Sequence, residues 1–402
     1  MPENTPIHAH GPWMIFLLAA TVAVSPLAID LYLPALPSMV DAFDTSLTQV
    51  QITMSSYLAG FALFHLACGP LADRFGRRPI MMAGLSLFTI TCFASTQAET
   101  IEELISLRFI QGIGACCGPT LGRAIIRDIY GPEHAAKALA YMAIIMGMAP
   151  AVAPTIGGFM LLLWPWTSMF YALGIYGVLI IILVYFALPE TVPVRQSLHP
   201  VGIARNYWAL LSNPHYMAMV LVCALLYSGT ISFIAGASFV LIDMMGVNPE
   251  HFGFLFGFIV IGYMAGNFFC TRLSIKRSSR QIMKLGVTVT LTSGLILLIS
   301  GSLIWHPLAI MIPMAIYNTG VGIVLPHATA SALKPFAHMA GTASSLQGFT
   351  QMGTASLLAG LIGLLLVDNP IPLVATVAAV AALAFLIVFL SPSEKVQADV
   401  ST

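Results

Sequence analysis

CGPLADRFGRRP, residues 68–79, joins the end of one long apolar run to the start of the next. Its last eleven residues hold two glycines, one acid and three arginines. Glycine permits a tight turn between helix ends, while Asp73 can pair with the arginines or with the ends of neighbouring helices. A loop needed only for its positive charge would require neither the glycines nor the acid. About 200 residues later, CTRLSIKRSSRQ at 270–281 again runs from a cysteine at the end of an apolar stretch into a short basic loop. The chain reads either as two similar halves or as one chain with two unrelated basic loops.

Composition sets the solvent. Of 402 residues, 58% are hydrophobic and 8% charged, where a soluble domain carries roughly 25% charged. Sixteen Lys and Arg balance sixteen Asp and Glu, so no net field attracts nucleic acid. A spanning helix uses about 20 apolar residues. Apolar runs separated by polar or turn-forming breaks predict an all-α membrane protein with twelve transmembrane helices. The spans are near 12–40, 46–70, 79–97, 101–127, 135–162 and 167–188, then 213–241, 249–271, 281–303, 305–330, 339–366 and 371–391. The longest polar break, 189–212, is read as a cytoplasmic linker between an N-terminal six-helix bundle (1–188) and a C-terminal bundle with a short cytoplasmic tail (213–402).

Lys and Arg near helix ends stay on the cytoplasmic side. With an internal N-terminus, Arg74, Arg77, Arg78, Arg127, Lys137, Arg195, Arg205, Arg272, Lys276, Arg277, Arg280, Lys284, Lys334 and Lys395 all fall inside. The opposite loops carry acids instead: Asp41, Asp44, Glu99, Glu102, Glu103, Asp243, Glu250 and Asp368. One miscounted span would scramble this segregation, so both termini are expected to be cytoplasmic. MPENTPIHAHGPW lacks the basic region and cleavage site of a signal peptide, and the first apolar run is expected to remain as a span. Two similar bundles related by an axis along the membrane normal is a transporter plan, with the substrate site near the midplane.

A charge inside the bilayer costs roughly 2.5–3.5 kcal/mol on insertion scales and usually faces a cavity or a partner. Asp30 in the first span is read as a proton carrier or as a static acid held by a neighbour or loop water. Arg108 in the fourth cannot realistically deprotonate; it is a fixed cation whose partner changes between states, or one half of a structural pair. Gln111 shares its face. Arg123, fifteen residues on, lies about 60° around the same helix. In the fifth span, MGMAPAVAPTIGGFM, Pro150 and Pro154 remove backbone donors while Gly157 and Gly158 keep one face small. Close packing alone also accounts for that pattern.

Tyr227, Asn267, Asn318 and Gln347 are candidate cavity-lining groups, with His65, Tyr317, His327 and Gln351; each also suits interhelical hydrogen bonding. The 21 Met and 23 Phe suit a pliable apolar pocket as well as a lipid-facing surface. The six cysteines lie in apolar runs without zinc or disulfide spacing. No nucleotide loop, metal cluster or activated nucleophile is visible, so no cofactor and no metal are expected, and the chain is not read as an enzyme.

These residues resemble a major facilitator superfamily transporter over nearly the whole chain, and more narrowly the Bcr/CflA group of drug:proton antiporters. GPLADRFGRRP resembles the superfamily's loop motif between helices 2 and 3, carried by Gly69, Leu71, Asp73, Arg74, Gly76, Arg77 and Arg78. LRFIQGIG resembles the helix 4 motif, whose arginine, implicated in proton coupling, is Arg108. APTIGG at 153–158 is similar to the antiporter motif of helix 5, with alanine at 140, 149 and 153 replacing the usual glycines. IDLYLPALP at 29–37, RDIYG at 127–131 and HMAGTASSLQG at 338–348 resemble the narrower group, whose helix 1 acid maps to Asp30. A second acid found two turns earlier in some multidrug relatives is replaced here by Val22.

The resemblance implies a multi-pass bacterial inner-membrane antiporter, working as a monomer, that exports small, partly apolar compounds such as chloramphenicol- or bicyclomycin-like drugs in exchange for protons. Its partners would be the small-molecule substrate, protons and the lipid bilayer. The group also contains transporters of nucleosides, dipeptides and siderophores, so proton-coupled movement of a metabolite stands as the alternative.

Overall fold

The computed structural model describes residues 12–192, 200–366 and 369–391. Arg195, Asp368 and Lys395, which the charge argument uses, lie outside them, as do the side chains of Lys137 and Ala140. Among the described residues the chain forms thirteen α-helices, namely α1 (Pro12–Asp30), α2 (Leu36–Ala42), α3 (Leu47–Phe75), α4 (Arg77–Ser95), α5 (Ile101–Leu161), α6 (Thr167–Ala187), α7 (Pro200–Leu211), α8 (Pro214–Ser238), α9 (Pro249–Leu273), α10 (Ser279–Leu303), α11 (Pro307–Leu333), α12 (Ala340–Leu365) and α13 (Ile371–Leu390). Eleven segments are long and apolar enough to cross a bilayer. The twelfth expected span is the second limb of α5, whose described apolar stretch is Val152–Leu161.

Two elements differ from their sequence reading. The fourth and fifth spans are one helix interrupted at a single residue, Gly131, with φ 65° and ψ 175°; glycine reaches this left-handed φ without the usual Cβ penalty. In the first span, Asp30 ends α1, a short 3₁₀ turn at Leu33–Ala35 follows, and α2 resumes. Pro34 and Pro37 cannot donate to a continuing helix, which places the break directly after the acid. The 189–212 segment is also more than a polar strap, since its latter half folds as α7.

Capping fixes several helix starts. Ser46 accepts from the Gln49 amide at 3.3 Å, Thr100 from Glu103 at 3.3 Å and Asn213 from Tyr216 at 2.8 Å. Ser278 and Gln281 form a reciprocal capping box at α10, and such caps contribute about 1 kcal/mol each. Small residues then let the helices close up. A β-carbon on Gly60 of α3 would sit 2.0 Å from the Phe109 carbonyl of α5, and one on Gly112 of α5 would sit 2.0 Å from the Tyr57 carbonyl. With no hydrophobic drive between helices in lipid, such backbone approach is what associates them.

The result is an all-α, two-bundle architecture. The bundles meet along α3 and α12, and between the second limb of α5 and α9. Thr48 donates to the Gly363 carbonyl at 2.6 Å, and Ser356 donates to the Ser55 carbonyl at 2.7 Å. Arg74, Arg77, Arg78, Arg272, Lys276 and Arg277 mark one end of the molecule; Asp41, Asp44, Glu102 and Glu250 mark the other. The first is the basic end and the second the acidic end.

Candidate functional site

Asp30 occupies the C-terminus of α1, where the helix dipole disfavours a negative charge. It is 3% exposed, and no hydrogen bond or ion pair reaches its carboxylate among the described residues. Its electrostatic neighbour is Tyr227 of α8, in the other bundle, which also lies within range of Tyr263 on α9.

Arg108, 0% exposed, is held elsewhere. Its guanidinium donates to Gln111 Oε1 and, at 3.1 Å, to the Ala28 carbonyl of α1. It stacks 4.4 Å from the Tyr32 ring, 4.5 Å from Tyr57 and 5.7 Å from Phe170. Gln111 in turn donates to Cys92 Sγ at 2.8 Å. Among the described residues the Arg108 Nε has no partner. Arg108 and Asp30 form no ion pair: Ala28 and Tyr32, two residues to either side of Asp30, touch the arginine, while Tyr227 of α8 lies within electrostatic range of the acid. A cation from α5 in an aromatic cage and an unpartnered acid thus meet at one short segment, residues 28–32, at the end of α1.

Gly157 and Gly158 link this segment to both bundles. A β-carbon on Gly157 would fall 2.0 Å from the Leu31 carbonyl, and one on Gly158 would fall 2.2 Å from the Pro249 carbonyl at the start of α9. The second limb of α5 is therefore pressed against the residue following Asp30 on one side and the opposing bundle on the other. Pro154 is buried and Pro150 half-buried in the same limb.

Of the other cavity candidates, Tyr227 joins Asp30, whereas the amides are engaged. Asn318 accepts from Thr230 at 2.9 Å and donates to the Met314 carbonyl at 3.0 Å. Gln347 donates to Thr329 at 2.8 Å, and Asn267 to the Tyr263 carbonyl at 2.9 Å. Tyr263 went unread in sequence; its position four residues before Asn267, on one helix face, is the signal that would have found it. Arg123 is exposed and lies in electrostatic range of buried His65 on α3, whose Nδ1 is without a partner among the described residues.

The loop motif forms a polar network at the basic end. Asp73 pairs with Arg77 at 3.2 Å, and Arg77 also pairs with Asp128 of α5, which accepts from Thr191 at 3.2 Å. Gly76 takes φ 108°, and Glu190 fills the space beside it: its carboxylate accepts from the amides of Arg77 at 2.9 Å, Arg78 at 3.4 Å, Thr191 at 2.9 Å and Val192 at 3.1 Å. Arg78 donates to the Tyr185 carbonyl and lies over its ring. Arg74 covers the Phe75 ring, Leu71 is half-buried, and Gly69 faces Ser345 of α12, which its β-carbon would meet at 3.6 Å. Glu190 was not singled out in the sequence, although an acid just after the sixth apolar run, on the basic side, marks it. Glu190→Gln should weaken the anchorage at the α4 N-terminus by about 1 kcal/mol. The check is limited proteolysis, with faster cleavage expected after residue 192 and unchanged cleavage elsewhere.

Residues 18–360 match the family model described as the Major Facilitator Superfamily; the chain belongs to that superfamily and is a multi-span membrane transporter. It is 27% identical over 373 residues to the bicyclomycin resistance protein homolog of Haemophilus influenzae, covering 91% of this chain and 93% of that relative. It is 30% identical over 349 residues to the multidrug resistance protein MdtL of Escherichia coli O157:H7, covering 86% and 88%. These relatives accord with the Bcr/CflA resemblance. In fold it is similar to a D-xylose-proton symporter, with TM-score 0.77 at 14% identity over 96% of this chain and 99% of the other.

Proposed function

We propose that this chain works in the bacterial inner membrane, both termini inside, and exports small, partly apolar compounds in exchange for protons. The two bundles, 1–188 and 213–402 joined by 189–212, would alternately open a central cavity. The observation that carries this reading is the Asp30 carboxylate, buried at the broken end of α1 without a hydrogen-bond or ion-pair partner among the described residues and within electrostatic range of Tyr227 in the opposing bundle. An acid so placed takes a proton when the cavity closes and yields it when water or a cationic group arrives. The names of the resistance-protein relatives support a drug-like substrate.

Arg108 would set the position of α1 through the Ala28 carbonyl and the Tyr32 ring, so that substrate pushing on α1 is felt at Asp30. The Asp73–Arg77–Asp128 network would hold α3, α4 and α5 together at the basic end as the bundles rock, and Gly157 with Gly158 would seal the acidic end. A membrane potential supplies roughly 2.3 kcal/mol per charge per 100 mV to any cycle that moves net charge.

Flux in proteoliposomes tests the direction: chloramphenicol or bicyclomycin moving against an imposed proton gradient is expected, and substrate moving with the protons sinks the export reading. Arg108→Lys keeps the charge but loses the planar fork and the stacking on two tyrosines. Proton-driven flux should fall at least roughly tenfold, equivalent to about 1.4 kcal/mol, with the protein still folded. Undiminished flux would mean that charge alone matters at this position.

A further inference from the structure

Away from the bundle interface, the basic end of α9, α10 and α13 encloses an open groove of about 610 Å³, lined by Lys276, Arg277, Gln281, Lys284, Leu285 and Phe389 among others. We propose that it binds the headgroup of an anionic phospholipid.

The groove sits where three membrane-crossing helices end, at the level of lipid headgroups. Lys276, Arg277, Arg280 and Lys284 place four cations in nine residues, and no Asp or Glu occurs anywhere between Glu250 and Asp368. Among the described residues none of the four is in a salt bridge. The N-terminus of α10 adds the positive end of its dipole to the same place. A concentration of like charge without a counter-ion is the electrostatic complement of a phosphate.

A loop serving orientation alone needs the charges but no second wall. Here the wall is built: the Lys284 ammonium lies 4.7 Å from the Phe389 ring centroid, and Arg280 donates to the Ser391 carbonyl at 2.7 Å, holding the end of α13 against α10. Lys276 and Arg277 are exposed and Lys284 half-buried. Leu285 and Phe389, exposed on the groove wall, continue it into apolar helix surface. That combination suits a phosphate on the cations and an acyl chain along the helices, which distinguishes a lipid from free phosphate.

The test uses the full chain, purified and delipidated in a neutral detergent, with dioleoyl-phosphatidylglycerol as probe and native mass spectrometry and thermal unfolding as readouts. Retention of phosphatidylglycerol over dioleoyl-phosphatidylcholine and a higher unfolding temperature in its presence are expected, with no displacement by excess inorganic phosphate. Neutralising Lys276, Arg277 and Lys284 to Gln should weaken binding roughly fivefold per charge, on the order of 100-fold together. Phe389→Ala should weaken it with every charge kept, and melting in phosphatidylcholine confirms that both variants are folded. Equal retention by the triple variant, equal binding of phosphatidylcholine, or displacement by phosphate overturns the assignment. So does binding that appears only after residues 392–402, which carry Glu394 and Asp399, are deleted.

Discussion

Replacing Asp30 with asparagine is expected to abolish proton-driven flux while raising the temperature at which the protein unfolds. Asparagine matches the carboxylate in shape but carries no exchangeable charge, so the cycle loses its proton site without losing volume. The wild-type acid is buried, unpartnered and at the unfavourable end of a helix dipole. Such an acid costs stability either as an unsolvated charge or by holding a proton that an exposed carboxyl would release; asparagine removes that cost, and function and stability therefore move in opposite directions at this position. Substrate flux measured with and without a pH gradient, beside a melting curve, checks both halves. If Asp30→Asn transports with its full pH dependence, Asp30 has no part in coupling; if it transports normally and melts lower, the carboxylate has a structural partner.

The second large effect is expected from Gly157→Ala. One added methyl would fall 2.0 Å from the Leu31 carbonyl oxygen and 3.1 Å from its carbon. Both atoms are backbone, so no side chain can swing aside and α5 must retreat from α1. Overpacking of this kind costs about 1–3 kcal/mol, and the gap it opens lies between Asp30 and the acidic end. A lower unfolding temperature and dissipation of an imposed pH gradient without substrate are expected. Gly257→Ala is the control, because nothing lies within 4 Å of its added carbon and the helix should gain slightly. Equal behaviour of the two variants would show that the α1–α5 contact seals nothing.

The membrane class, the apolar spans and the loop motif were legible because each rests on residues adjacent in sequence. Asp30 stood out for the same reason, as a charge in an otherwise apolar run. The Arg108 cage was not legible: Tyr32, Tyr57 and Phe170 come from three separate segments, and only packing brings their rings together. Nor could sequence separate the expected 128–134 loop from what forms, since one glycine at positive φ breaks a helix as effectively as a polar loop does. α7 was hidden inside a polar stretch because an amphipathic helix shows its apolar face only at every third or fourth position; its Trp208 is 72% exposed.

That helix also limits how the protein can move. Glu190 and Thr191 fasten the chain to the first bundle where it leaves α6, and Tyr207 of α7 donates to the Leu66 carbonyl of α3 at 3.1 Å. α7 then runs into α8 across only Ser212 and Asn213. Through α7 the first bundle thus holds the second by one hydrogen bond and a two-residue corner, and a wide swing must either flex that corner or break the tyrosine's grip.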